Sequence, residues 1–253
     1  MPLITRQERS SHWYHRDGTA CHEVIGKSTG LPRPTTVADA RKMNLVPSVT
    51  NILNMKAKPA LMTWLQDNAI MAAIATPRHE GENEQLWHSR IATESERIGK
   101  EAAEWGTAIH EQIEQFCTGG AFMGTGEILQ YVAGYEAWHR ANVETVISAE
   151  QSVVGPDYAG RLDLFAILKD GRRAVIDFKS QKLLGKPKAN FYKEWPMQLA
   201  AYADCLENVD VMISIIIPSD VPAPVQVKEW DNREEALKAF RACFELWCYD
   251  KGY

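Results

Sequence analysis

An acidic and a basic residue, Asp177 and Lys179, interrupt an apolar run in the stretch GRRAVIDFKSQK. Because side chains alternate between the two faces of a strand, residues two positions apart share one face. On a solvent-exposed face such a pair is ordinary, whereas beside a bound cation it can support hydrolysis. The acidic residues on neighbouring elements therefore indicate whether this face is exposed to solvent or lies beside a cation.

A hairpin is predicted directly before this run, because Asp170-Gly171 separates it from RLDLFAIL, which carries Asp163. A two-residue turn would place Asp163 opposite Phe178. A three-residue loop, with Gly171 left-handed in a bulge, would instead set Asp163 opposite Asp177. We favour the second register, because three-residue loops prefer Gly at their last position.

The favoured register brings two like charges together. Directly opposed residues have Cβ atoms about 5 Å apart, and like charges there are destabilising. A divalent cation between Asp163 and Asp177 would remove the repulsion, since hard cations prefer oxygen ligands. Lys179, about 7 Å further along the same face, could then reach a substrate phosphate. The hairpin therefore predicts a cation site with an adjacent ammonium group.

Other polar residues and glycines have spacings that suit such a site. Two pairs lie four positions apart on predicted helices and so share a helix face. One acidic residue lies on the preceding predicted strand, and one glycine stands three positions before Asp163. Each feature alone is common, so the prediction depends on the whole set: Gly106, His110, Glu150, Gly160, Gln198 and Tyr202.

In chain order these residues form the motifs Gly-Thr-x-x-His, Gly-x-x-Asp, Asp-x-Lys and Gln-x-x-x-Tyr, which span residues 106–202. This series resembles the RecB-type branch of the PD-(D/E)XK nuclease superfamily. That branch includes the RecB and AddB nuclease domains, CRISPR-associated adaptation exonucleases and the mitochondrial genome maintenance exonuclease. The segment VPSVTNIL…LMTWL is also similar to the start of phage and mitochondrial members. The resemblance implies a restriction-endonuclease-like core.

The resemblance also implies roles for individual residues. A Mg²⁺ or Mn²⁺ ion would be bound by His110, Asp163, Asp177 and the backbone carbonyl of Phe178. The catalytic residues would be Lys179, Asp177 and Asp163, with Glu150 as an auxiliary acid. The side chains that orient the site or the DNA would be Gln198 and Tyr202.

The cysteines argue against a further cofactor. Some members of this branch bind an iron–sulfur cluster through four cysteines, three of them grouped near the C-terminus. Here Cys243 and Cys248 have no third neighbour, so no iron–sulfur cluster is expected. The five cysteines are scattered and odd in number, which favours reduced thiols and a cytoplasmic location.

Charge gives two opposite indications about nucleic acid. The formal net charge of −5 is unlike the basic surface typical of DNA-binding proteins. A basic stretch nevertheless follows the Asp-x-Lys strand, and it could guide DNA phosphates or simply be a solvated loop. Its lysines are Lys179, Lys182, Lys186, Lys188 and Lys193. Tyr192 and Trp195 lie beside it and could stack on unpaired bases or pack in the core.

The order of predicted elements indicates an α/β (α+β) fold, with a central mixed β-sheet flanked by helices. Helical patterns fill much of 48–142, three strands follow, and then come a helix, two strands and a closing amphipathic helix. Residues 1–47 are predicted to be an irregular or hairpin-like elaboration, and 48–253 the nuclease domain, within a single domain overall. No apolar stretch reaches 18 residues, so no membrane partner is expected.

The predicted function is a metal-dependent deoxyribonuclease, an exonuclease acting on single-stranded DNA ends in recombination, repair or processing. Two alternatives remain open: a catalytically silent DNA-binding module on the same fold, and a structure-specific endonuclease. The retained Asp163, Asp177 and Lys179 argue against the silent module, because opposed carboxylates cost stability unless they bind a cation. The exonuclease activity follows from the resemblance alone.

Overall fold

The computed structural model describes residues 12–119, 121–122, 124 and 126–253. Its helices are α1 (Val37–Met43), α2 (Val49–Leu53), α3 (Pro59–Ala75), α4 (Glu84–Gly119), α5 (Gly126–Asn142), α6 (Trp195–Asp204) and α7 (Arg233–Lys251). Its strands are β1 (Trp13–Tyr14), β2 (Glu23–Ile25), β3 (Pro32–Pro34), β4 (Val46–Pro47), β5 (Val143–Val154), β6 (Ala159–Leu168), β7 (Arg173–Gln181), β8 (Val211–Pro218) and β9 (Gln226–Trp230).

A five-stranded sheet in the order β5-β6-β7-β8-β9 forms the centre of the fold. Strands β7 and β8 are parallel, and the other neighbours are antiparallel, so the sheet is mixed. The sequence VMISIIIP of β8 is buried along its whole length, which explains why all its residues except Ser214 are apolar. The predicted α+β class, with a mixed sheet flanked by helices, is confirmed.

Helices cover both faces of this sheet. On one face α4 and α5 pack on β6, β7 and β8 through a core that includes Ile109, Val132 and Ile176. On the other face α6 and α7 pack with α2 through a core that includes Leu199 and Phe240. The apolar faces of the amphipathic helices are thereby removed from water, which is the main favourable term in folding.

The described part of 1–47 is tied to the second core. Trp13 is fully buried and lies with its ring centroid 5.7 Å from that of Trp247 and 5.5 Å from that of Tyr253. Within this region β2 pairs with β3 as a short antiparallel hairpin. Helix α1, which the sequence analysis did not predict, follows it and begins at a reciprocal cap between Thr36 and Asp39.

Helices α2, α3 and α4 precede the central sheet in the chain. Ser48 caps α2, since its hydroxyl accepts a hydrogen bond from the backbone N–H of Asn51. Helix α3 then packs against α4, which has 36 residues and buries side chains only between Ile109 and Phe116. Within the described ranges, every helix is too short or too polar to cross a membrane.

Candidate metal centre and active site

The β6–β7 hairpin adopts the favoured register. Gly171 has φ +88°, the left-handed conformation expected at the end of a three-residue loop. The backbone N–H of Leu168 donates to the carbonyl of Arg172 at 2.8 Å. Further along, Leu164 pairs with Ile176, so continuing the same register points Asp163 toward Asp177.

The two strands separate just beyond that pair. The backbone ladder between them ends at Leu164 and Ile176, and the next contact is made by a side chain. The Phe178 N–H donates to Oδ2 of Asp163 at 2.6 Å. A carboxylate therefore occupies the place of a ladder carbonyl, which satisfies the amide and fixes Asp163 at the opening. The predicted role of the Phe178 carbonyl in binding a cation stays a prediction.

Glu150 lies across from Asp163 on the other neighbouring strand. Ala149 pairs with Leu164 and Gln151 with Leu162, which sets Glu150 opposite Asp163. Glu150 has φ +49°, a left-handed conformation that is uncommon for residues other than Gly. Such backbone strain persists where the surrounding structure holds it, and it is concentrated at functional sites.

Helix α4 brings His110 to the same place. A Cβ added to Gly106 would lie 2.9 Å from the Ser180 hydroxyl, so the absence of a side chain lets α4 approach the end of β7. One turn later, His110 packs edge-on against Phe178, with ring centroids 6.1 Å apart. His110 Nδ1 lies 3.8 Å from Asp163 Oδ2. The predicted approach of His110 from a helix therefore matches its position.

His110, Glu150 and Asp163 form what we call the cation cluster. One ligand atom of each lies within 4.8 Å of the other two. Ligand atoms on one ion at about 2.1 Å are about 3–4 Å apart, so a small inward movement would complete a site. Burial and the charge of Asp163 raise the pKa of Glu150, although Arg161 opposes the shift. One imidazole and two carboxylates that repel each other could hold a divalent cation. The choice of Mg²⁺ or Mn²⁺ stays a prediction.

Asp177 and Lys179 lie beside the cation cluster and contact each other. Lys179 Nζ is 2.6 Å from Asp177 Oδ2, and Asp177 is only 1% exposed. Burial raises the pKa of Asp177, and the Lys179 charge limits the rise. Burial works against the charge of Lys179, but Asp177 and Asp163 outweigh it and raise the pKa of the ammonium group. These two carboxylates therefore favour the ammonium form of Lys179.

Gln198 holds the other oxygen of Asp177 and also contacts Tyr202. Gln198 Nε2 donates to Asp177 Oδ1 and to the Tyr202 hydroxyl, each at 3.0 Å. Both hydrogens of the amide are thus used, which fixes the carboxylate from behind. A Cβ on Gly160 would lie 2.4 Å from Tyr202 Cε1, so the Gly-x-x-Asp glycine makes room for the tyrosine. These contacts fit the predicted orienting role, which stays a prediction.

Arg161 is a site residue that the sequence analysis missed. Its Nε lies 2.7 Å from Glu150 Oε2, and a second nitrogen lies 3.9 Å from Glu114 Oε1. It therefore binds the carboxylate that faces Asp163. The alternation of a strand contained the signal, because Arg161 stands two positions from Asp163 and shares its face.

The predicted basic stretch lies next to this centre. Lys182, Lys186, Lys188 and Lys193 line a cleft of about 1130 Å³, and so do Ser180 and Gln181, which follow Lys179 directly. The cation cluster itself is not part of the cleft lining. Tyr192 also lines the cleft, whereas Trp195 is 7% exposed and packs against Phe191 and Tyr192. Core packing therefore accounts for Trp195.

Comparison with known proteins adds little to this geometry. No protein-family model and no curated protein matches the chain. A crystal structure of SSO0001 aligns with a TM-score of 0.32 at 14% identity, over 74% of this chain and 86% of that chain. A likeness at that level carries no argument about activity. The resemblance to RecB-type nucleases, the site roles and the cofactor stay predictions.

Proposed function

We propose that this protein is a Mg²⁺- or Mn²⁺-dependent deoxyribonuclease of the RecB-type PD-(D/E)XK branch, with a restriction-endonuclease-like core. The observation that carries the proposal is the position of the cation cluster beside the Asp177–Lys179 pair. Acidic ligands, an imidazole and a protonated lysine at one strand end are the groups that phosphodiester hydrolysis needs. As the resemblance implies, the substrate is a single DNA strand with a free end.

The cation would be held by His110, Glu150 and Asp163, with Asp177 adjacent. When bound, it supplies a water of lowered pKa and a Lewis acid for the phosphate. In the reaction the water oxygen bonds to phosphorus, one P–O ester bond breaks, and the leaving oxygen takes a proton. The net change is hydrolysis, so no oxidant or second substrate is required.

The protein's own groups act on the phosphate and on one another. Lys179 presents an ammonium group that positions the attacking water and neutralises charge developing on the phosphate. Asp177 holds Lys179 at 2.6 Å, and Gln198 holds Asp177 at 3.0 Å. Each group is thereby fixed before substrate arrives, which is how electrostatic stabilisation becomes effective.

Two alternatives predict different products. A catalytically silent binding module has no use for a protonated lysine beside a carboxylate cluster, and a structure-specific endonuclease would not require a free end. The test uses end-labelled linear and closed circular single-stranded DNA with Mg²⁺ or Mn²⁺, and Asp163→Asn as the inactive control. Degradation of linear DNA alone supports the exonuclease. Cleavage of the circle supports the endonuclease, and no product with either metal supports the binding module.

A further inference from the structure

The cleft beside β7, which we call the lysine cleft, has two distinct walls. Lys56, Lys58 and the following helix α3 line one side together with α4, from Pro59 to Asn68 and from Ile98 to Trp105. The segment from Ser180 to Glu194 lines the opposite side. Because Ser180 and Gln181 directly follow Lys179, the cleft begins at the edge of the candidate active site.

The charge of the lysine cleft is opposite to that of the whole chain. Six lysines and three glutamates line it, which gives a formal charge of +3, whereas the chain carries −5. Positive charge concentrated in a concave surface attracts an anionic polymer despite an acidic total. The lysines are Lys56, Lys58, Lys182, Lys186, Lys188 and Lys193, and the glutamates are Glu101, Glu127 and Glu194.

Aromatic rings and unsatisfied donors accompany this charge. Trp64 lines the α3 side and is 39% exposed, and Tyr192 lines the opposite side. Asn68, only 8% exposed, and Trp105 also line the cleft. Neither Asn68 Nδ2 nor Trp105 Nε1 has a hydrogen-bond acceptor among the described residues. Buried donors are nearly always paired with protein groups or ordered water, so each of these two would take an acceptor from outside the described residues.

An ion pair joins the two walls. Lys56 Nζ lies 3.3 Å from Glu194 Oε2, and the two side chains are 32% and 21% exposed. A partly exposed pair of this kind contributes little stability, so it opens easily. A phosphate entering the lysine cleft would compete with Glu194 for Lys56.

We propose that the lysine cleft binds one unpaired DNA strand and leads it to the end of β7. Its lysines contact the phosphates, Trp64 and Tyr192 stack on bases, and Glu194 weakens binding by holding Lys56. Only unpaired bases expose the faces that such stacking requires, which excludes an intact duplex. The assignment of DNA as ligand rests on the proposed function, whereas the strand-binding site rests on the cleft itself.

The test is fluorescence anisotropy with a dye-labelled single strand of about 15 nucleotides in EDTA, so that binding is measured without cleavage. Trp64→Ala should weaken binding by about 5- to 150-fold, the usual effect of losing one stacking platform. Lys56→Ala should weaken binding and reduce its salt dependence, by about 0.7 in the logarithmic slope for one phosphate contact. Glu194→Gln should tighten binding, because it releases Lys56.

Two exposed residues of α7 provide matched controls, since they do not line the lysine cleft: Lys238→Ala and Glu235→Gln should bind like wild type. Binding by Trp64→Ala and Lys56→Ala that equals these controls would overturn the cleft assignment. Unchanged or weakened binding by Glu194→Gln would overturn the competition with phosphate. Equal affinity for a duplex would overturn the single-strand specificity. Tighter binding of a single RNA strand than of DNA would overturn the choice of DNA as ligand.

Binding and cleavage, measured separately, distinguish a failure of the cleft assignment from a failure of the nuclease function. Strand binding in EDTA with no cleavage in Mg²⁺ or Mn²⁺ would contradict the nuclease and leave the cleft assignment standing. Cleavage that persists while every cleft variant binds like wild type would contradict the cleft assignment and leave the nuclease function standing.

Discussion

Lys179 Nζ lies 2.6 Å from Asp177 Oδ2, so two residues of one strand face form an ion pair beside the cation cluster. The pair has a consequence for any substitution in the site. Removing either partner leaves the other charge in a largely buried position, which is costlier than losing an exposed ion pair. Effects on activity and on stability must therefore be measured together.

Lys179→Ala should abolish cleavage without weakening cation binding, because an ammonium group is not a metal ligand. The free energy of unfolding should fall by about 3 kcal/mol, the low end for a broken buried pair, since the Lys179 side chain is 27% exposed. Calorimetric Mn²⁺ titration and the nuclease rate, measured on the same folded sample, check the effects on cation binding and on cleavage. Urea unfolding checks the effect on stability. Lys238→Ala is the control. Wild-type cleavage by Lys179→Ala would rule out the proposed mechanism.

Glu150→Gln should weaken Mn²⁺ binding by at least about tenfold, because a charged oxygen ligand becomes a neutral amide beside Asp163. Glu114→Gln is the matched control, since Glu114 also lies near Arg161 but outside the cation cluster. Calorimetry on both variants measures the difference. Equal Mn²⁺ affinity in the two variants would show that Glu150 is not a ligand.

The response of stability to Mn²⁺ should depend on pH through Glu150. Its pKa is raised in the cation-free fold, so the folded protein binds this proton more tightly than the unfolded chain. The cation-free free energy of unfolding therefore falls as pH rises from the ordinary glutamate pKa to the raised one. Cation binding needs the ionised carboxylate, so the increase in Tm caused by Mn²⁺ should grow over the same range.

Thermal unfolding with and without Mn²⁺, from about pH 4 to pH 7, measures this response. Glu150→Gln should flatten the part of the pH dependence that comes from this carboxyl group. If the variant keeps the full wild-type pH dependence, the coupled proton belongs to another group of the cation cluster.

Gly160→Ala should destabilise the protein by about 1–3 kcal/mol, the usual cost of overpacking a core. The added Cβ would lie 2.4 Å from Tyr202 Cε1, and the displaced ring would lose its hydrogen bond to Gln198. Gly126→Ala is the control, since no atom of the described residues lies within 4 Å of a Cβ there. Urea unfolding midpoints compare the two. Equal midpoints would mean that Tyr202 moves aside without cost.

Local sequence signals predicted the part of the site that local geometry controls. Gly171 determined the hairpin register, and that register brought Asp163 toward Asp177. The glycine-histidine spacing put Gly106 and His110 on one helix face, and α4 brings that face to the end of β7. Thr36 and Asp39 form the capping box of α1, and the Thr-x-x-Asp spacing is its signal in the sequence.

Tertiary geometry was harder to predict. Glu150 was placed on the right strand, but its position opposite Asp163 depends on two register shifts in β5 and on its own left-handed backbone. Neither irregularity has a signature in a single sequence. The α3 wall of the lysine cleft was missed for a related reason, since Lys56 meets Glu194 across 138 positions. Contacts of that separation follow from packing and not from spacing.

Helix α4 is continuous for 36 residues, about 54 Å, yet its stability must be uneven. Its buried side chains lie between Ile109 and Phe116, and the preceding turns pack chiefly on α3. Local opening costs least where little apolar surface is buried. Amide hydrogen exchange should therefore run as a gradient along one helix, fast before about residue 100 and slow around His110. The front of α4 can unfold and refold while its last third keeps the imidazole in place.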